Sequence, residues 1–598
     1  MTNKKVDGSE MVADQIGRLT EQSQHVMENF WKRQLESQTK DEFTLVDPKA
    51  LANAFFELGA KLMADPTKLI EAQLTFWQRQ AILWEHMLKR MQGEEVEPLF
   101  KPESGDRRFK DRAWDDELLF DYIKQSYLLS AQWMRSLVDG VEDQDPETKE
   151  RVAFFTRQFL SAMSPTNFAA TNPAVLEKAK ATGGQNLMEG LKHLLADLER
   201  GEGRLKINMV DEDAFVVGEN VAASEGQVIY QNDLMQLIQY VPSTETVFKR
   251  PLLLVPPWIN KFYILDLQPK NSFIKHAVEQ GHTVFVISWA NPTKAHAKKS
   301  FDNYLLQGPL AAIKAIEEAT GEAEINILGF CIGGILVSTL LGHLAAKNEA
   351  SRIKSATLLT SLFDFKDVGE ARVFIDDRQV QQIERQIDGK GYLEGRHMAD
   401  MFSMMRENDL IWSFVVNNYL MGREPLAFDL LYWNADSTRM PATMLAQYLK
   451  LFYQENRLRE PGGLAMLGTP IDLSMVKTPI YMMAAKDDHI APWQSCYPGT
   501  GLFAGSRKFV LAASGHVAGV VNPPAARKYG HWTNGKRPSD PDAWLEQATW
   551  HEGSWWPDWY RWLKPKAGKK VPAREPGSGK LKPIEPAPGS YVAVRGDS

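Results

Sequence analysis

Gly329-Phe330-Cys331-Ile332-Gly333-Gly334 lies directly after the apolar run Ile325-Asn326-Ile327-Leu328 and directly before the helical run Ile335-Leu336-Val337-Ser338-Thr339-Leu340. A reactive side chain flanked by glycines between a strand and a helix is the nucleophile-elbow pattern, here with cysteine in the place serine usually holds. The glycines are needed because side chains beside the strained residue would clash. The turn also sets the sulfur at a helix N-terminus, where free N–H groups and the helix dipole stabilise negative charge.

Working outward, apolar runs alternate with helical segments on both sides of this turn: Pro251 to Val255, Thr283 to Ile287, Ile325 to Leu328, Ala356 to Leu359, Pro479 to Met483 and Lys508 to Leu511. Strands buried on both faces read this way in a mostly parallel sheet. An elbow cysteine in such a sheet predicts its partners in the order nucleophile, acid, histidine, each on a loop after a later strand. Lys486-Asp487-Asp488-His489 follows the fifth run and Ser514-Gly515-His516 the sixth. The expected triad is Cys331, Asp488 and His516 in an α/β-hydrolase fold, with Asp487 a solvated charge. His489 is left as a structural residue or a substrate contact. After the first run, Pro256-Pro257-Trp258-Ile259 occupies the loop that supplies half of an oxyanion hole, and the backbone N–H of Ile332 supplies the other half.

Cysteine at the elbow bears on the substrate. A thiolate exchanges one thioester for another at little net free-energy change, whereas acylating it from an oxygen ester is uphill, so acyl-CoA or another thioester is the expected donor. Passing the acyl group on to a hydroxyl then runs downhill, provided water is kept out. Residues from about 363 to 475, mostly helical and aromatic, form an insertion between the fourth and fifth runs and read as a cap over the site.

From about residue 10 to 200 the pattern is helical, clearest where Ile70, Leu74, Trp77, Ala81, Trp84, Leu88 and Met91 make one apolar stripe, taken as a packing face. A second helical block carries Leu118, Leu119, Tyr122, Ile123 and Tyr127, and β-rich runs begin at Ala214 to Val217 and Gln227 to Tyr230. The expected organisation is an all-α N-terminal domain (1–205) and a catalytic domain (206–598) with a helical cap insertion. Its last stretch, about 564–598, rich in Lys, Pro and Gly, reads as an extended tail. Trp555, Trp556, Trp559 and Trp562 weigh towards core over a polymer-facing patch.

At 598 residues with 44% hydrophobic and 24% charged side chains, the chain has the composition of globular domains. A net charge of −7 without a long basic run gives no reason to expect nucleic acid. No apolar leader and no run of about 18 apolar residues occurs, so the expectation is cytosolic. Two cysteines, Cys331 and Cys496, are too few for a disulfide framework or a cysteine zinc site, and Cys496 reads as a packing residue. Phosphate-loop and dinucleotide motifs are missing, and His551-Glu552-Gly553-Ser554-Trp555 fails the zinc-protease pattern, so no metal and no cofactor is expected beyond the CoA of the substrate.

The elbow, the segment Pro256 to Leu267, Leu431-Tyr432-Trp433-Asn434-Ala435-Asp436-Ser437-Thr438, Asp488-His489-Ile490, Ser514 to Pro524 and Gly553 to Pro557 together resemble the polyhydroxyalkanoate synthases. In the helical half, Asp106-Arg107-Arg108-Phe109 and Ser164-Pro165-Thr166-Asn167-Phe168 are similar to that family too. The resemblance implies that Cys331 takes a hydroxyacyl group from (R)-3-hydroxyacyl-CoA and His516 deprotonates Cys331. It leaves open whether Asp488 orients His516 or activates the incoming hydroxyl. It implies the single-polypeptide, short-chain class: a cytoplasmic homodimer on polyester granules, with granule-coat proteins as possible partners. Trp433 joins His489 as a substrate-contact candidate. A thioesterase or depolymerase of the same fold, or a non-catalytic granule scaffold, are the competing readings.

Overall fold

The computed structural model describes residues 43, 45, 48–141 and 145–596 and divides into two units: one of residues up to Asp211 together with Ser403–Leu426, the other of Glu212–Phe402 and Ala427–Ser598.

The helical unit contains α1 (Pro48–Ala64), α2 (Pro66–Met91), α3 (Leu118–Asp139), α4 (Pro146–Ala162), α5 (Pro173–Thr182) and α6 (Gln185–Arg200). Asp65 and Asp145 start α2 and α4 by accepting the N–H groups of Lys68 and Thr148, with proline in the first helical turn, where its missing N–H costs nothing. The apolar stripe of α2 faces outward: Ile70, Leu74, Trp77, Trp84, Leu88 and Met91 are all more than half exposed. This corrects the expected packing face. α2 instead buries Leu83, His86 and Met87, the side on which His86 Nε2 pairs with the Glu97 carbonyl and Arg90 with the fully buried Asp121.

Arg108 pairs with Asp106 at 2.8 Å and donates to the Tyr127 hydroxyl at 3.0 Å, which in turn donates to the Leu160 carbonyl, so this charged motif ties a loop to α3 and α4. Ser403–Leu426, drawn from the middle of the expected cap, belongs to this unit. Its Glu407 is buried and accepts from Ser161 Oγ at 2.8 Å, and the Tyr419 hydroxyl donates to Asp197 at 2.6 Å. A β-carbon at Gly190 would stand 1.8 Å from the Tyr419 carbonyl, so only glycine lets α6 approach so closely.

The second unit is built on β1 (Gly226–Gln231), β2 (Met235–Tyr240), β3 (Thr246–Phe248), β4 (Leu252–Val255), β5 (Val284–Trp289), β6 (Ile325–Phe330), β7 (Ile353–Leu359), β8 (Ile480–Ala485), β9 (Arg507–Ala512), β10 (Gly530–Thr533), β11 (Thr549–Glu552), β12 (Lys570–Pro572) and β13 (Glu585–Pro586). The main sheet runs β11-β10-β9-β8-β7-β6-β4-β5-β2-β1-β13. Its centre, β5 to β9, is parallel, and the flanking pairs are antiparallel. β4, β5, β6 and β8 are buried along their whole length, as parallel strands covered on both faces must be. All six strands expected from apolar runs form.

Ala214–Val217 does not form a strand. Glu212–Ala214 is a 3₁₀ turn and only Val217 bridges to Val221, because the burial here comes from Phe215 against Tyr432 and not from a ladder. The stretch expected as a tail is extended in backbone but pinned. β12 pairs with β3 and β13 with β1, and the Tyr591 hydroxyl donates to the Asn232 carbonyl at 2.7 Å. Proline-rich chain still offers alternate N–H and C=O groups, and here they cover the otherwise open edge at β1.

Candidate active site

β6 delivers Cys331 at φ 55°, ψ −125°, and α7 (Ile332–Ala346) starts at the next residue. A non-glycine residue at positive φ is costly and persists only where its surroundings over-determine it. They do so here. Cys331 N–H donates to the Leu359 carbonyl at 2.9 Å, and Ser361 Oγ donates to the Cys331 carbonyl at 2.9 Å. A β-carbon at Gly329 would lie 2.5 Å from Gly334 Cα, and one at Gly333 2.2 Å from the Val255 carbonyl, which explains both glycines.

Asp488 and His516 are buried, and His516 Nδ1 lies 2.7 Å from Asp488 Oδ2. The other carboxylate oxygen accepts from the N–H groups of Ile490 and Ala491 at 2.8 and 2.9 Å. His516 stacks on Phe330, the residue before Cys331, with ring centroids 5.5 Å apart, and Cys331 is near enough to act on it electrostatically. Burial pulls the imidazole down, but the charges of Asp488 and Cys331 outweigh it and push His516 up to about 10. The histidine loop is held from behind by the tryptophan cluster: the indole N–H groups of Trp555 and Trp556 donate to the Gly519 and Val520 carbonyls, both at 2.9 Å. Trp555, Trp556 and Trp559 are fully buried, so the core reading holds for these three, while Trp562 is half-buried.

Pro256 and Pro257 have no N–H, so Trp258 and Ile259 are the first backbone donors after β4. Among the described residues nothing accepts from the N–H of Trp258, Ile259 or Ile332. Donors left without partners beside a nucleophile are the raw material of an oxyanion hole. The Trp258 ring packs among Trp289, Phe301 and Tyr304. Trp433 is buried and donates its indole N–H to the Lys261 carbonyl at 2.7 Å, so its bond serves the loop. His489 is half-buried beside Asp488, and Asp487 is exposed. Cys496 is buried with its sulfur 3.4 Å from the Ala491 carbonyl, and burial pushes its thiol well up, as suits a packing residue.

Two residues of the insertion escaped the reading of the sequence. Tyr448 and Tyr453 pack ring to ring at 5.4 Å, and both hydroxyls are held high, first by burial and also by the nearby Cys331 charge. Their signal in the sequence is only an aromatic helix, indistinguishable from core.

A family model described as the N-terminus of poly-beta-hydroxybutyrate polymerase (PhaC) matches residues 105–277, and one for the alpha/beta hydrolase fold matches 250–523. The poly(3-hydroxyalkanoate) polymerase of Methylorubrum extorquens is 48% identical, the match covering 89% of this chain and 88% of that one. The poly(3-hydroxyalkanoate) polymerase subunit PhaC of Rhizobium meliloti (strain 1021) is 47% identical over 89% of this chain and 87% of its own. The corresponding subunit of Cupriavidus necator is 44% identical over 89% of both chains. Agreement at this level, through the helical unit as well as the sheet, means that the chain belongs to the poly(3-hydroxyalkanoate) polymerases, acyltransferases with an α/β-hydrolase catalytic domain.

Proposed function

We propose that the protein polymerises (R)-3-hydroxyacyl-CoA, with Cys331 as nucleophile, His516 as proton carrier and Asp488 as the group that orients His516. The observation that carries this reading is the buried Asp488–His516 hydrogen bond, with the imidazole stacked on Phe330 directly before Cys331 at the strained elbow. Cys331 gives its proton to His516 and attacks the thioester carbonyl, and the oxyanion forms against the N–H groups of Ile259 and Ile332. The C–S bond to CoA breaks, and His516 returns the proton to the departing thiolate. A hydroxyl then gives its proton to His516 and attacks the Cys331 thioester. The new ester forms and the sulfur leaves. With one oxygen of Asp488 committed to two backbone N–H groups and the other to His516, orientation is better supported than direct activation of the hydroxyl. No prosthetic group is called on.

We read the outward apolar stripe of α2 as the face that meets the polyester, which supports a granule-associated, cytoplasmic protein; no helix among the described residues is long and apolar enough to cross a membrane. Short-chain monomers and a homodimer complete the proposal.

The test is CoA release from 3-hydroxybutyryl-CoA by wild type and Cys331→Ser, with the product assayed for polymer. Release with polymer, abolished in the variant, supports the reading. Release of free hydroxy acid alone makes the protein a thioesterase.

A further inference from the structure

Three carbonyls of the loop after β4 are bound by one short segment of the insertion. Thr438 Oγ1 donates to the Trp258 carbonyl at 2.5 Å, Thr438 N–H donates to the Ile259 carbonyl at 3.0 Å, and Trp433 Nε1 donates to the Lys261 carbonyl at 2.7 Å. Asn260 reaches back through Nδ2 to the carbonyls of Trp433 and Asn434, both at 3.4 Å, and Asn260 pairs with Ser437 in an isolated antiparallel bridge. Thr438 is buried, so no water competes for these bonds.

A trans peptide is planar, with its C=O and N–H pointing in opposite directions. Fixing the Trp258 carbonyl therefore fixes the Ile259 N–H, which belongs to the same peptide, and fixing the Ile259 carbonyl does the same for the Asn260 N–H. We infer that Thr438 is a positioning residue for acyl transfer: its hydroxyl and its N–H hold two successive peptide planes so that the Ile259 N–H stays turned towards the oxyanion. The inference rests on the oxyanion role given to Ile259 above. Threonine suits the task because its β-branch restricts χ1, leaving the hydroxyl few directions to point. The arrangement also makes the hole depend on the insertion. A donor that wanders by about an ångström loses much of its worth in the transition state while leaving ground-state binding intact.

The experiment compares Thr438→Val, which keeps the shape and removes the hydroxyl, with Thr438→Ser, which keeps the hydroxyl. Expected for Thr438→Val is a fall of about tenfold or more in kcat for CoA release from 3-hydroxybutyryl-CoA, with KM within about twofold of wild type. Alkylation of Cys331 by iodoacetamide and the melting temperature should stay near wild type, and Thr438→Ser should recover most of the rate. Wild-type kcat in Thr438→Val overturns the inference. So does a loss of rate that comes with a collapsed melting temperature and is not recovered by Thr438→Ser. Ile259→Pro, which deletes the N–H itself, separates the two layers. If it retains full activity the oxyanion assignment of Ile259 fails; if it is inactive yet folded while Thr438→Val is unimpaired, only the role of Thr438 fails.

Discussion

Asp488 holds His516 Nδ1 at 2.7 Å with one oxygen and the N–H groups of Ile490 and Ala491 with the other. Both carboxylate oxygens are engaged by protein donors, an arrangement suited to a charge that acts through the imidazole. Asp488→Asn presents an amide in place of a pure acceptor and favours the wrong imidazole tautomer. CoA release should fall by about two orders of magnitude or more, in both the first turnover and steady state. A variant that acylates at the wild-type rate and stalls only in elongation would instead make Asp488 the activator of the hydroxyl.

The elevated His516 carries a stability signature. Its folded value, about 10, lies above the ordinary 6.5, so its contribution is fully present below 6.5 and is lost as pH rises through about 10. The melting-temperature advantage of wild type over His516→Asn should therefore be largest near pH 6 and shrink towards pH 10.

His282 acts in the opposite direction. It is buried against Phe248, neither ring nitrogen has a partner among the described residues, and burial, with a lesser push from Lys570, lowers it to about 3. A depressed histidine contributes stability that is intact above 6.5 and erodes as pH falls towards 3, since the unfolded chain takes up the proton first. His282→Phe should flatten the loss of melting temperature between pH 7 and pH 4, and an unchanged acid slope would show that other groups govern it.

Val594 and Arg595 bind the segments after β4 and β5. Lys261 Nζ donates to the Val594 carbonyl and Asn291 Nδ2 to the Arg595 carbonyl at 3.0 Å. Deleting residues 594–598 leaves the buried Lys261 amine without that acceptor, at a cost of about 1–3 kcal/mol. The expected result is a lower melting temperature together with slower CoA release.

On α2, Leu74 and Leu88 stand more than half exposed on the outward stripe. Leu74→Glu with Leu88→Glu should leave CoA release from soluble monomer unchanged and reduce co-sedimentation with polyester particles. Unchanged sedimentation with a shifted mass by light scattering would reassign the stripe to contact between copies.

The chain by itself determined the elbow, the placing of Cys331, Asp488 and His516 after successive strands and the six parallel strands, because these rest on local rules: glycines where side chains would clash, apolar runs where strands are covered on both faces, and loops at strand ends. What only the tertiary structure decided was where groups far apart in the chain meet. The α2 stripe shows which surface avoids water but not what covers it, and the buried face proved to be the one where His86 Nε2 and Arg90 find their partners. A proline-rich stretch reads as a tail until an open strand edge supplies its partners. Thr438 and Trp258 are 180 residues apart, and their hydrogen bond depends on the meeting of two loops that no periodicity records.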